Sequence, residues 1–304
     1  MRINFLVNHI NGGWEPTDKR LGGTEESVVK WAELLSSAGH EVWVYRNGRE
    51  QYPVFLNEVM YREREDYHGG VGVCVNVKSS EVKPKEPTLY LTNETDATSL
   101  DLSLYDAVVW PSQWAVDNIP VNNRTIVIPH GYDSDKIFPK QKKSKQCLYA
   151  SSPDRGLSDL EIIWPSVVEQ HPDAHLFISY GGSIDAPNTT SGEFSEAEMN
   201  ELYNTSEFWL HPANGGELFG ISGIKAQAAA AIPVYYPTMA LSETVREGVP
   251  CTDARDMFLK LCSLLGDEEQ KNDIRNNLYQ LELCDWYQSA ELLESAILKL
   301  WTSQ

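Results

Sequence analysis

The stretch NGGELFGISGIKAQAAAAIPV, Asn214 to Val234, decides how the rest of the chain is read. It opens as a glycine-rich polar turn holding one acid, Glu217, continues as a helix of small residues, and closes on the apolar start of a buried strand. Loop, helix and strand in that order are one step of a parallel β/α sheet, in which ligands collect at the carboxyl ends of strands. Gly215 and Gly216 let backbone approach a ligand, and Phe219-Gly220 opens a helix whose first amides have no intrahelical acceptor. Such a mouth attracts anions, and an acid beside it accepts hydrogen bonds from hydroxyls. A phosphate site next to a hydroxyl-binding acid suits a sugar diphosphate. Glu217 would equally serve to complement the helix dipole, and the stretch alone leaves both roles open.

The same step recurs along the chain. INFLV reads as a strand, NHINGGWEPTDKRLGG as a loop, TEESVVKWAELLSSAGH as a helix with a stripe at Val28, Val29, Trp31, Ala32, Leu34 and Leu35, and EVWVY as a second strand. GVGVCVNV, TLYLT, DAVVWPS and RTIVIPHG read as further strands, with SQWAVDNI a short helix between two of them. PKQKKSKQ, Pro139 to Gln146, is a charged run expected to be a linker. Beyond it CLYAS, AHLFISYGG and EFWLHP are strands, LSDLEIIWPSVVEQH is a helix expected to break or turn near Pro165, and SEAEMNELYNTS is another helix. The expected class is α/β, two Rossmann-like parallel-sheet domains facing a cleft. The expected division is 1–140, joined by a C-terminal crossover helix 286–304, and 141–285.

Bulk composition agrees. The 304 residues leave room for two domains of about 150 residues each. A net charge of −19 repels phosphate backbones and disfavours nucleic acid as a partner. The five cysteines stand far apart with no CxxC pair, so reduced thiols and a cytoplasmic setting are expected, with no zinc site. No apolar run is long enough for a membrane span.

The strand-end rule selects four loops: NGGWEPTDKRLGG, TNETD, SSPDRG and ANGGELFG. Five segments along the chain, over about residues 1 to 250, resemble in order the retaining GT-B glycosyltransferases of family four (glycosyl transferases group 1). GGELFGISGIKAQAAAAIPV resembles the family signature of Glu, Phe-Gly, a second Glu, a small-residue helix and Pro-Val. LGGTEESVVKWAELLSSAGHEVWVY, IVIPHGYDSDKIFP, SSPDRGLSDLEIIWPSVVEQHPDAHLFISYGG and MALSETVREG resemble its N-terminal Gly-Gly loop, its Ile-Pro-Asn-Gly segment, its Lys-Gly turn and its later Glu loop. The resemblance implies that Glu217 binds donor-sugar hydroxyls, that Phe219, Gly220 and Ile221 form the helix mouth at the sugar and diphosphate, and that Arg155 holds the diphosphate. It further implies that Gly22 and Gly23 approach the donor phosphate. His130 and Glu243 match further donor-side positions, each with a structural role equally open.

Three departures stand out. The family's second Glu is Lys225 here; lysine donates to a ribose hydroxyl but cannot accept, or it reaches a phosphate, or neither. The basic residue ahead of the Lys-Gly turn is missing from YASSPDRG, and Lys225 is a candidate replacement charge. Where many members place an acceptor-side histidine, LTNETD offers Asn93 or Glu94. Glu94 and Asp96 imitate a metal-binding D-x-D, but the two-domain pattern argues for metal-independent transfer, with no cofactor beyond a nucleotide diphosphate sugar, UDP- or GDP-linked. The expected reaction is sugar transfer to an acceptor hydroxyl with retained configuration. A GT-B-shaped sugar-nucleotide epimerase and a catalytically weak sugar-nucleotide-binding protein are the alternatives.

Overall fold

The structure, a computed structural model, describes residues 1–8, 13–18, 21–49, 53–75, 88–91, 102–103 and 105–302. The chain divides into two compact units, Met1–Gly131 together with Cys284–Gln304, and Tyr132–Leu283.

In the first unit apolar runs too short for helices become strands β1 (Arg2–Val7), β2 (Glu41–Arg46), β3 (Val54–Leu56), β4 (Val59–Glu63), β5 (Gly72–Val75), β6 (Thr88–Leu91), β7 (Ala107–Trp110) and β8 (Thr125–Val127). Among the described residues they form one sheet in the order β3-β4-β2-β1-β5-β6-β7-β8. It is parallel except at the β3–β4 hairpin. That hairpin was not legible beforehand. Its two-residue turn is Asn57-Glu58, both at positive φ (47° and 62°), a geometry usually announced by Asn-Gly. Helix α1 (Gly23–Ser37) buries Val28, Val29, Trp31, Ala32 and Leu35. Helix α2 (Gln113–Asn118) follows β7. The Trp31 indole donates to Ser289 Oγ at 2.9 Å, tying α1 to the C-terminal helix.

In the second unit the elements are β9 (Lys143–Tyr149), α3 (Leu157–Gln170), β10 (His175–Ile178), β11 (Thr189–Ser191), α4 (Glu196–Thr205), β12 (Ser206–His211), α5 (Ile221–Ala228), β13 (Ile232–Tyr235), α6 (Leu241–Thr244), β14 (Val249–Pro250), α7 (Ala254–Gly266) and α8 (Glu268–Leu278). The C-terminal helix of the first unit, α9, spans Trp286–Thr302. The described strands of the second unit form a parallel sheet in the order β11-β10-β9-β12-β13-β14. Counted from β9, this is the doubly wound 3-2-1-4-5-6 order, which reverses between β9 and β12 and opens its ligand crevice there.

Three expectations are corrected. The second unit begins at Tyr132, ahead of 140/141, because the Asn204 side chain bonds both the Lys136 carbonyl and the Phe138 amide. The charged run after it is not a free linker. Lys140 pairs with Glu201 at 2.7 Å, and Lys142 Nζ donates to the carbonyls of Asn204 and Ala229. Lys143 already opens β9. Burial, with Arg275 nearby, pushes the Lys142 ammonium down to about 7. Helix α3 likewise runs unbroken through Pro165. Ile163 and Trp164 before the proline and Val167 after it are buried in one core, and that packing holds the helix despite the bond a proline removes.

Candidate active site

The crevice between β9 and β12 receives one loop from each strand. The loop after β9 carries Arg155 and reaches α3 through Gly156, at φ 86°. A Cβ at Gly156 would stand 2.0 Å from the Pro212 carbonyl oxygen, so only glycine lets the two loops touch. The loop after β12 carries Gly215, Gly216 and Glu217. Gly216 sits at φ 79°, and a Cβ there would lie 1.5 Å from Arg155 Nη1. The missing side chain makes the bed for the guanidinium, which donates to the Gly215 carbonyl at 2.7 Å.

The Glu217 loop is pinned from behind by the segment after β13. Thr238 Oγ1 donates to Ala213 O at 2.7 Å, the Ala240 amide to Glu217 O at 3.2 Å, and Thr244 Oγ1 to Phe219 O at 2.6 Å. The acid is therefore held on a fixed backbone with its side chain 17% exposed. Its Oε1 lies 3.6 Å from Arg155 Nε and 3.4 Å from Nε2 of His211, the last residue of β12. His211 has no exposed surface and stacks on Trp209 at 4.6 Å and on Tyr149 at 6.5 Å. Among the described residues neither of its ring nitrogens makes a hydrogen bond. The Tyr149 hydroxyl donates to Ser152 O at 2.5 Å, and burial keeps it protonated.

Gly220 caps α5 in the left-handed region, and the amides of Gly223 and Ile224 turn back to its carbonyl at 2.9 and 3.4 Å. The α5 mouth thus opens three residues beyond Glu217, with Phe219 buried behind it and Ile221 at the first helical position. Lys225 lies one turn further along α5, half-buried. Glu243 is exposed on α6. The described geometry therefore gathers Arg155, Glu217, Phe219, Gly220 and Ile221 around one crevice, with Lys225 and Glu243 on elements packed beside it. An anion at the helix mouth and a hydroxyl against Glu217 would both be served.

The remaining candidates belong to the first unit. Gly22 caps α1 and Gly23 begins it. A Cβ on Gly22 would meet the buried Glu25 carboxylate at 2.4 Å. His130 is 3% exposed, its ring 5.5 Å from Trp31 and 6.0 Å from Trp286, with Nδ1 3.1 Å from Ser27 Oγ. Burial drives its pKa down to about 3. That is a neutral ring in a packed core. Asn93 and Glu94 lie outside the described residues. Sequence reasoning missed His211. Its signal was a histidine directly after the apolar run Phe208–Leu210, six residues before the acid.

No family model matches the chain. Among curated proteins it is 22% identical, over 82% of either chain, to a phosphatidyl-myo-inositol mannosyltransferase of Mycolicibacterium smegmatis. Among solved structures, a sucrose-phosphate synthase of Thermosynechococcus elongatus superposes with a TM-score of 0.75 at 14% identity, covering 100% of both chains. Anabaena HepE, solved with UDP-glucose, gives a TM-score of 0.74 at 13% identity, covering 99% of this chain and 100% of that one. These likenesses settle the fold: two Rossmann-like parallel-sheet domains, the GT-B architecture of the glycosyltransferases this chain resembles.

Proposed function

We propose that this protein is a glycosyltransferase that moves a sugar from a nucleotide diphosphate sugar, UDP- or GDP-linked, to an acceptor hydroxyl with retained configuration. The observation that carries the proposal is Glu217 fixed beside Arg155 at the switch point of the second sheet, three residues from the α5 mouth. Similarity to a mannosyltransferase, and to a protein solved with UDP-glucose, supports a nucleotide sugar as donor.

Each residue has a role in that reaction. The leaving diphosphate needs charge neutralisation more than a proton. Arg155 supplies a guanidinium suited to two phosphate oxygens, the first amides of α5 supply their dipole end, and Lys225 adds a cation from one turn deeper. Glu217 accepts a sugar hydroxyl and orients the ring as positive charge grows at the anomeric carbon. The acceptor attacks from the face the diphosphate leaves, so no covalent nucleophile is required. Phe219 and Gly220 shape the floor. Glu243, on α6 beside the mouth, completes this side of the donor site, and the reaction draws on no cofactor beyond the donor itself. Five free cysteines support a cytoplasmic setting.

The test is hydrolysis and transfer from UDP- and GDP-sugars, with the anomeric proton coupling of fresh product read by NMR. Released nucleotide with retained configuration is expected. Inverted product would contradict the mechanism, and an isomerised sugar would mean an epimerase instead.

A further inference from the structure

His211 is in an unusual position for a residue that merely fills space. It is wholly buried, it stacks almost parallel on Trp209 (interplanar angle 13°), and neither ring nitrogen is bonded among the described residues. Burying unbonded polar atoms is costly. A phenylalanine would keep the stack without that cost, so packing alone does not account for an imidazole here.

What the imidazole has and phenylalanine lacks is Nε2, 3.4 Å from Glu217 Oε1. Arg155 Nε approaches the same oxygen at 3.6 Å. One carboxylate oxygen is therefore addressed by two donors on the protein side. The other, Oε2, lies 4.0 Å from where a Cβ on Gly220 would stand, on the side of the α5 mouth. We infer that His211 is a positioning residue for Glu217. Its ring carries a proton on Nε2, holds Oε1 together with Arg155, and turns Oε2 toward the hydroxyl of a bound sugar.

Both nitrogens bear on the tautomer. Nδ1 faces no acceptor among the described residues, whereas Nε2 faces a carboxylate, so the proton belongs on Nε2. The Nε2 contact does not have the angle of a hydrogen bond in the free protein, and contacts of this kind tighten when ligand fills the site. The positional role rests on Glu217 being the sugar-binding acid; the Nε2 tautomer and its coupling to Glu217 do not.

The experiment has two arms. First, histidine-labelled ¹⁵N NMR of the free full-length chain, with His211→Gln used for assignment, should show His211 as the Nε2–H tautomer. Its Nε2 proton should shift upfield in Glu217→Gln. A Nδ1–H tautomer, or a His211 signal indifferent to Glu217→Gln, would overturn the inference whatever the protein's activity. Second, UDP, UDP-glucose, GDP and GDP-mannose are titrated into wild type, His211→Phe and His211→Gln. His211→Phe should bind the bare nucleotide as wild type does and lose about 10–100-fold of affinity for the sugar nucleotide. His211→Gln, whose amide nitrogen reaches the Nε2 position, should recover part of it. Equal loss for nucleotide and sugar nucleotide, or no recovery by Gln in a folded variant, would make His211 structural only. If wild type binds none of the four while the NMR arm holds, the donor reading fails and the coupling stands.

Discussion

Two buried histidines divide the molecule between structure and chemistry. His130 follows the last strand of the first sheet and lies between Trp31 and Trp286, with Ser27 Oγ at one nitrogen. His211 ends a central strand of the second sheet, stacked on Trp209, with Glu217 in front of Nε2 and no hydrogen bond at either nitrogen among the described residues. Both are buried, with His130 at 3% and His211 at 0% exposure. Burial therefore does not distinguish a core histidine from one that belongs to a site. What distinguishes them is whether the polar atoms are answered by the surrounding core or left facing a charged group in a ligand crevice.

The largest effect that would sharpen this contrast is at Glu217. Glu217→Ala should lower kcat for sugar transfer by about 10²–10³-fold while leaving the melting temperature near wild type, since the loop is held by Thr238, Ala240 and Thr244 rather than by the carboxylate. Arg155→Ala comes next. Donor affinity, measured by calorimetry, should fall about 10–100-fold, and Arg155→Lys should restore little of it, because a lysine does not reproduce the planar fork.

Gly216→Ala should be felt in both stability and binding. The left-handed backbone and the clash with Arg155 Nη1 predict a loss of about 1–3 kcal/mol in chemical denaturation, together with weakened donor binding as the guanidinium is displaced. At neutral pH the smallest effect is at His130. Its folded pKa is depressed from 6.5 to about 3 by burial, so between those values the unfolded chain binds a proton that the folded chain does not. Its contribution to stability is complete above pH 6.5 and is lost as the pH falls toward 3, at about 1 kcal/mol per pH unit in the middle of that window. His130→Phe should remove this slope from the acid denaturation curve and leave donor binding at pH 7.5 unchanged. A loss of donor binding would mean that His130 does more than pack.

The parallel β/α steps were legible because short apolar runs ending in polar or glycine residues alternate with helical stripes such as Val28 to Leu35. The Glu217 loop was legible because glycines, an acid and a helix start within a few residues leave few other uses. Three things were not. The β3–β4 hairpin hides behind a turn with no glycine. Pro165 reads as a helix breaker, yet Trp164 and Val167 sit in one core and hold the helix together. The two histidines were not told apart: His130 sits in a recognisable His-Gly turn and was open between ligand and structure, whereas the place of His211 depends on a loop six residues on folding back over it. Local sequence does not reveal such a contact, although a polar residue closing the apolar run at the carboxyl end of a central strand is a sign of it.

The central claim, that the crevice between β9 and β12 binds the sugar of a nucleotide diphosphate sugar against Glu217, is tested most directly by thermal shift. Wild type and Glu217→Ala are melted with UDP, GDP, ADP and CDP and with the corresponding sugar nucleotides, since binding to the folded state alone raises the melting temperature by mass action. One nucleotide should stabilise both proteins, and its sugar derivative should stabilise wild type further but not Glu217→Ala. A sugar-dependent increment that survives in Glu217→Ala, or a wild-type protein that none of these ligands stabilises, would contradict the account.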